Sequence, residues 1–224
     1  IDGPLFTNNN SVTPDTTLVG NISYQITGLP PFTDNPFATI GNDWALPHQL
    51  LNEEERKEYV AIATRVGSAL RDHGWKGLFG IDVIQDKNTR RLYLLEINAR
   101  QPASTTFESQ LQQKSLRLTA YGLQLTTFDA HLASLLDLSL EKESLTPMKA
   151  GAQIILRNSS LPLSLQKIRT TKKRLIDAGY SVFCYTNTKA GSDLLRIQTP
   201  SSFMSEHGIF NENAKAITKI ISLP

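Results

Sequence analysis

Three oxygen-bearing side chains between residues 80 and 100 have types and a spacing suited to holding a metal ion. Asp82 lies near the end of one predicted strand, and Glu96 and Asn98 lie two residues apart on the next. Because side chains alternate between the faces of a strand, Glu96 and Asn98 share a face, and antiparallel pairing can bring Asp82 opposite them. Two carboxylates and an amide oxygen repel each other unless a hard cation lies between them, and all-oxygen ligation suits Mg²⁺ or Mn²⁺. The segment therefore predicts a magnesium or manganese site made by Asp82, Glu96 and Asn98.

Arg100 extends the same polar row, because it lies two residues beyond Asn98 and points to the same face. The other face of this strand is apolar, with Leu95 and Ile97. A strand that turns Glu, Asn and Arg inward loses their hydration, and a functional role would explain that cost. The alternative is an ordinary solvent-facing edge row on a binding scaffold. The pattern alone leaves both interpretations open.

Local sequence signals predict the elements that position this row. Strands are predicted at 78–84 and 91–97, and the polar segment 85–90 between them predicts a β-hairpin. Asn52 is the predicted N-cap of the preceding helix, with three glutamates in the first turn, and Gly74 predicts the end of that helix.

The rest of the chain predicts an α+β fold in two parts. Residues 5–27 are interpreted as an antiparallel meander in which Asn8-Asn9-Asn10 is turn material, and residues 28–47 as an irregular connecting loop. Other predicted elements are helices over 107–118, 127–138, 164–178 and 213–221, and strands over 150–157, 180–185 and 193–199. We predict an antiparallel sheet with flanking helices in residues 1–146, followed by a small β-rich α+β cap subdomain in residues 147–224.

Composition excludes several classes of protein. The net charge is +2, from 23 basic and 21 acidic residues without a long run of one sign, so a nucleic-acid partner is not expected. No apolar stretch approaches the roughly 18–20 residues of a membrane helix, so no membrane partner is expected either. The single cysteine, Cys184, is predicted to be a buried thiol, and we expect a cytoplasmic protein. Because the chain opens at Ile1 without a methionine, we expect a piece of a longer chain.

The hairpin sequence resembles a paired motif of the ATP-grasp superfamily, which includes biotin carboxylase, carbamoyl-phosphate synthetase and many carboxylate–amine ligases. The resemblance is found in Gly80–Ile84 and Tyr93–Arg100. It is strengthened by Ala45-Leu46-Pro47 and by His73–Gly77, which stand in the order of that family. It covers about residues 1–140 and implies the C-terminal portion of an ATP-grasp domain.

The resemblance implies a role for each residue of the row. Asp82 and Glu96 would bind the metal ions that bridge the phosphates of ATP, and Asn98 would complete the metal shell. Arg100 would be the catalytic residue that holds an acyl phosphate or the substrate carboxylate, since its guanidinium can form a bidentate, charge-assisted clamp. The implied activity is an ADP-forming ligase that activates a carboxylate for attack by an amine or a similar nucleophile.

The chain also departs from the family pattern. Pro102 and Ser104 stand where biotin carboxylase has glutamine and glutamate, which argues against bicarbonate chemistry. The hydroxyls of residues 104–106 could contact a substrate, but such segments are more often turns. Further loop candidates for the same cleft are Asn42, Asp43 and His48.

No glycine-rich phosphate loop occurs in residues 1–224, so the resemblance implies that an N-terminal half of the same protein is missing. The isolated fragment is then expected to be inactive. The expected partners are a small carboxylate, a nucleophile and the missing half, and a homodimer is left open. The alternative function is a non-catalytic nucleotide-binding or regulatory module derived from an ATP-grasp domain.

Overall fold

The computed structural model describes residues 1–115, 124–158, 164–186 and 189–223. The strands are β1 Leu5–Val12, β2 Thr17–Leu18, β3 Ser23–Thr27, β4 Thr39–Asp43, β5 Gly77–Gln85, β6 Leu92–Asn98, β7 Gln124–Leu125, β8 Ser144–Leu145, β9 Ala152–Arg157, β10 Ser181–Cys184, β11 Asp193–Thr199, β12 Met204–Glu206 and β13 Ile209–Phe210. The helices are α1 Pro47–Leu50, α2 Glu53–Asp72, α3 Thr105–Ser115, α4 Thr127–Leu135, α5 Leu165–Asp177 and α6 Glu212–Ser222. No helix in these ranges is long and apolar enough to cross a membrane.

The chain forms two compact units, and each is built from antiparallel strands with flanking helices. The first comprises Ile1–Tyr24 and Pro47–Lys149, and the second comprises Gln25–Leu46 and Ala150–Pro224. The predicted α+β class is confirmed. The proposed division into domains at residues 146 and 147 stays a prediction.

Strand β1 is the centre of the sheet in the first unit. It pairs with β5 along its whole length, from Leu5 opposite Ile84 to Val12 opposite Gly77, and β5 pairs with β6 on its other edge. The prediction that Asn8, Asn9 and Asn10 form a turn is wrong, because all three lie inside β1 and are buried. Hydrogen bonds satisfy their amides: Asn8 and Asn10 bond to each other at 2.7 and 2.9 Å.

Helix α2 packs on this sheet and begins as the sequence predicts. Asn52 and Glu55 form a reciprocal capping box, with both hydrogen bonds at 2.8 Å. The stripe that faces the core comprises Tyr59, Ile62, Ala63 and Val66, all buried. The helix ends one residue before its C-cap, His73, and the chain turns at Gly74, whose φ is +81°.

The turn of the β5–β6 hairpin is fastened to the start of α2 by Arg90. Its guanidinium donates to both oxygens of Glu55, at 2.7 and 2.6 Å, and to the carbonyl oxygen of Leu50 at 2.9 Å. Burial alone would raise the pKa of Glu55, but hydrogen bonds from Arg90 and from the backbone of Asn52 lower it overall. This contact fixes the far end of the hairpin.

Other predicted helices differ in their bounds. Helix α3 starts two residues earlier than predicted, and residues 116–118 of the prediction lie outside the described ranges. Helix α4 stops at Leu135 rather than Leu138, because Asp137 takes a left-handed conformation with φ of +57°. His131 on α4 is satisfied as predicted, since the backbone N–H of Leu78 donates to its Nδ1 at 3.3 Å.

In the second unit, β4, β9, β11 and β10 pair in that order, all antiparallel. Residues 28–47 are therefore not only a loop, since they include β4 and the start of α1. Gly41 of β4 is required by space, because a Cβ there would lie 2.1 Å from the carbonyl oxygen of Gln153. The predicted buried thiol is wrong: Cys184 is exposed, because within the described residues β10 has a strand neighbour on one side only.

We predict that Arg90→Ala lowers the free energy of unfolding by about 1–3 kcal/mol, because it leaves the mostly buried Glu55 carboxylate without its charged donors. Urea denaturation measures the change. Arg91→Ala, at the adjacent exposed arginine, is the matched control and should change stability by less than about 0.5 kcal/mol. Equal effects of the two substitutions would contradict the prediction.

Candidate functional site

The hairpin register brings the predicted metal ligands together. Asp82 of β5 is directly opposite Glu96 of β6, and Gly80 is directly opposite Asn98. Residues directly opposite in an antiparallel pair point to the same face, with Cα atoms about 4.5–5.5 Å apart. Asp82, Glu96 and Asn98 therefore share one face of the sheet, and the two carboxylates are neighbours.

A β-bulge adjoins this carboxylate pair. The register shifts between Asp82 and Val83, which pairs with Leu94, so Leu95 is the extra residue on β6. Bulges are common beside active sites, where they change the direction of a side chain. The regular alternation predicted for this strand is therefore interrupted at Leu95.

The carboxylate pair is open to solvent on the side of β6. Glu96 and Arg100 are exposed, whereas Asp82 and Asn98 are half-buried. Asp82 also affects a residue of the core. The pKa of the Tyr59 hydroxyl is raised mainly because Tyr59 is buried, and secondly by the negative charge of Asp82. The pair can thus meet a ligand from solvent while its inner member is held within the sheet.

The donor set fits a hard cation that receives further ligands from a bound molecule. Within the described ranges, no group of three or more His, Cys, Asp or Glu side chains could hold a metal ion. The predicted set consists instead of two carboxylates and the amide oxygen of Asn98, and phosphate oxygens would supply the remaining positions. Magnesium or manganese at this site stays a prediction.

Arg100 is tied to Asn98 in two ways. Its backbone N–H donates to the carbonyl oxygen of Asn98 at 2.8 Å, and its guanidinium Nη2 donates to Asn98 Oδ1, also at 2.8 Å. The same amide oxygen is the predicted metal ligand. The guanidinium has further donors besides Nη2, and these could bind an anionic ligand.

The segment after Arg100 lies close to the sheet. Gly80 has no side chain, and a Cβ there would lie 2.9 Å from Cγ of Pro102. Ser104 is buried and exchanges hydrogen bonds with the amide of Asn9, at 3.0 and 3.1 Å. Of the two interpretations of Ser104, the turn is therefore the one the geometry supports.

A buried carboxylate lies behind this segment and was not found from the sequence. Glu108 of α3 is fully buried, and burial raises its pKa to about 7 despite hydrogen bonds from Asn9 and Asn21. Two features of the sequence could have indicated a buried polar contact. Glu108 lies between the core residues Phe107 and Leu111, and the polar run Asn8-Asn9-Asn10 lies inside an otherwise strand-like segment. Neither signal identifies the partner, because Asn9 and Glu108 are 99 residues apart.

The loop candidates in the second unit have structural contacts. Asp43 is fully buried, and its carboxylate accepts hydrogen bonds from five donors: the backbone N–H groups of Ala45, Leu46, Phe203 and Met204 and the hydroxyl of Ser202. Asn42 accepts from Gln153 at 3.1 Å. In the first unit, His48 Nε2 lies 3.1 Å from the carbonyl oxygen of Met148. A nucleotide-binding role for these residues stays a prediction.

Known proteins resemble this chain in structure rather than in sequence. No protein-family model and no curated protein matches it. N5-carboxyaminoimidazole synthase from Aspergillus clavatus, solved with ADP and 5-aminoimidazole ribonucleotide, is 16% identical with a TM-score of 0.64, covering 97% of this chain and 51% of that chain. L-amino acid ligase from Bacillus licheniformis is 17% identical with a TM-score of 0.62, covering 98% and 50%. The phosphoribosylaminoimidazole carboxylase ATPase subunit from Aquifex aeolicus is 12% identical with a TM-score of 0.62, covering 98% and 56%.

These likenesses show the fold. The chain has the same fold as part of each of these structures, and the fold that the hairpin resemblance implied is confirmed. It spans about half the length of the structures it matches.

We predict that Glu108 makes the first unit less stable as the pH rises. The carboxyl ionises near pH 4.5 in the unfolded chain but only near pH 7 in the folded one, so its contribution is fully present below pH 4.5 and is lost as the pH rises through 7. The loss should be about 3 kcal/mol. Urea denaturation from pH 4.5 to 8 measures it against Glu108→Gln, which cannot titrate. An unfolding free-energy difference between the two proteins that stays constant over this range would contradict the prediction.

Proposed function

We propose that the protein containing this chain is an ATP-dependent, ADP-forming ligase that activates a carboxylate for attack by an amine or a similar nucleophile. The single observation that supports this most strongly is the direct opposition of Asp82 and Glu96, beside Asn98 and Arg100. Related folds add support, because one neighbouring structure contains ADP and another, from the same fungus, contains ATP.

In the proposed reaction, a carboxylate oxygen of the substrate attacks the γ-phosphorus of ATP, and ADP leaves. An amine then attacks the acyl carbon and loses a proton to solvent, the bond between that carbon and the phosphate oxygen breaks, and inorganic phosphate leaves. Both steps move negative charge between oxygens, so the contribution of the protein is to position the reactants and to neutralise charge. Arg100 can do so for the transferred phosphoryl group or the carboxylate, because its exposed guanidinium is a charge-assisted donor.

Asp82, Glu96 and Asn98 would hold Mg²⁺ or Mn²⁺. The cation would neutralise phosphate charge when bound. The protein itself contributes the fixed spacing of the two carboxylates, which the β5–β6 register sets before any ligand arrives. The repulsion between the two carboxylates is therefore already present in the folded protein without its ligand, so it lowers the stability of the fold and not the affinity for the ligand.

The second candidate is a non-catalytic nucleotide-binding or regulatory module. The observation that favours it is the fold, which the chain shares with structures solved with ADP or ATP. The neighbouring carboxylates weigh against it, because two like charges at paired positions destabilise a sheet that has no ligand to bind. We therefore place it second.

We predict that Glu96→Gln in the complete protein lowers carboxylate-dependent ADP release by at least about 10²-fold, because it removes one of the two negative charges from the proposed metal ligands Asp82, Glu96 and Asn98. Glu96 is exposed, so folding should be unaffected. A coupled assay for ADP measures the rate, with Glu54→Gln, an exposed glutamate of α2, as the control. Turnover at the wild-type rate in Glu96→Gln would rule out the proposed role.

We also predict that residues 1–224 alone bind Mg·ATP only weakly, with a dissociation constant above about 10⁻⁴ M, because they contain no glycine-rich phosphate loop. Isothermal titration calorimetry measures the affinity, and circular dichroism on the same sample shows whether the chain is folded. Micromolar binding would show that this half of the fold suffices for the nucleotide.

A further inference from the structure

The loop between β6 and α3, residues 99–104, contains Arg100 and is attached to the sheet at both ends. At its start, Asn98 pairs with Gly80, and Gly80 pairs on its other side with Asn9 of β1. At its end, the Ser104 hydroxyl lies 3.1 Å from Oδ1 and 3.0 Å from Nδ2 of Asn9. Asn9 therefore anchors the end of the segment 99–103, the five residues between Asn98 and Ser104.

Glu108 fixes the orientation of this anchor. One carboxylate oxygen accepts a hydrogen bond from Nδ2 of Asn9, and the other accepts from the backbone N–H and Nδ2 of Asn21, at 3.2 and 3.1 Å. Asn21 is held in turn, because its Oδ1 accepts from the backbone N–H of Met148 at 2.8 Å. Because a carboxylate only accepts hydrogen bonds, Nδ2 of Asn9 must face Glu108. Its second hydrogen donates to the Ser104 hydroxyl, and Oδ1 accepts from that hydroxyl.

Packing alone does not explain a carboxylate at this position. Glu108 lies on α3 between Phe107 and Leu111, which are buried, and an apolar residue there would add to the core without loss of hydration. Its raised pKa records this unfavourable burial. What the carboxylate provides, and a leucine could not, is an acceptor for two asparagines at once.

We propose that Glu108 is a positioning residue for Arg100, acting through Asn9 and Ser104 to hold the segment 99–103 on the sheet. The inference rests on the proposed function, in which Arg100 binds the phosphoryl group or the carboxylate. Its consequence is that the guanidinium starts close to where it is needed, beside Asn98, instead of sampling many positions.

The test in the complete protein is a double-mutant cycle on ADP release, with Mg·ATP and a mixture of L-amino acids as the probe, since these carry both a carboxylate and an amine. Glu108→Ala should lower kcat about 10–100-fold and leave KM for ATP within about threefold, and Glu108→Gln, which keeps one of the two acceptor oxygens, should lower kcat less than Glu108→Ala does. The double variant Arg100→Ala/Glu108→Ala should be no slower than Arg100→Ala. Additive losses would show that Glu108 acts through overall stability and would overturn the proposal.

A second measurement does not depend on activity. Hydrogen exchange of the backbone amides in residues 99–104 should become at least about tenfold faster in Glu108→Ala and in Ser104→Ala, with exchange in β5 unchanged. Ser104→Ala removes the hydrogen bonds between the loop and Asn9 but keeps the Glu108 carboxylate. It therefore tests the positioning role even if Glu108→Ala does not fold. Gln113→Ala, at an exposed residue of α3, is the control.

Unchanged exchange in residues 99–104, or an equal rise in β5, would overturn the positioning role. A wild-type protein that releases no ADP would count against the proposed function instead. The exchange result would then decide the role of Glu108 by itself.

Discussion

The pairing of β1 with β5 is the constraint on which the site depends. Eight consecutive residue pairs fix the register of β5 against β1, from Leu5 to Val12, and β5 in turn pairs with β6 on its other edge. A slip of β5 by one residue against β1 would turn Asp82, and Glu96 with it, toward the face that α2 covers, and the carboxylate pair would lose its access to solvent. Most residues of β5 are buried, so such a slip would also expose apolar side chains. The same burial that stabilises the unit therefore specifies the geometry of the site.

The buried polar residues of β1 make this register more specific than an apolar strand would. Asn8 and Asn10 satisfy each other on one face, and Asn10 also accepts a hydrogen bond from the backbone N–H of Gly20 at 3.1 Å. Asn9 on the other face is satisfied by Ser104 and Glu108. Any other register would leave several buried amides without partners, at a cost of about 1–3 kcal/mol for each. Apolar side chains can exchange neighbours at a much smaller penalty.

Local signals explain which parts of the fold could be predicted from the sequence. Helix α2 and the β5–β6 hairpin depend on neighbours a few residues away, namely the capping box at Asn52 and the turn residues around Asp86. The opposition of Asp82 and Glu96 follows from that hairpin. The contact between Asn9 and Glu108 could not be predicted from the sequence, because it joins distant segments and because a run of asparagines is typical of turns. The exposure of Cys184 depends on the order of strands in the sheet, which no local pattern specifies.

Gly80 has a consequence for how this site could change over evolutionary time. It is the one position in the row Asn9–Gly80–Asn98 that has no side chain, and Pro102 fills the space above it. Even the single methyl group of alanine would press against Pro102 and lift the attached loop from the sheet. Residue 80 therefore limits how closely Pro102 can approach the sheet. Substitutions in the loop can change its side chains, whereas a larger residue at position 80 would move Pro102, and with it the loop that contains Arg100, away from the face that Asp82, Glu96 and Asn98 share.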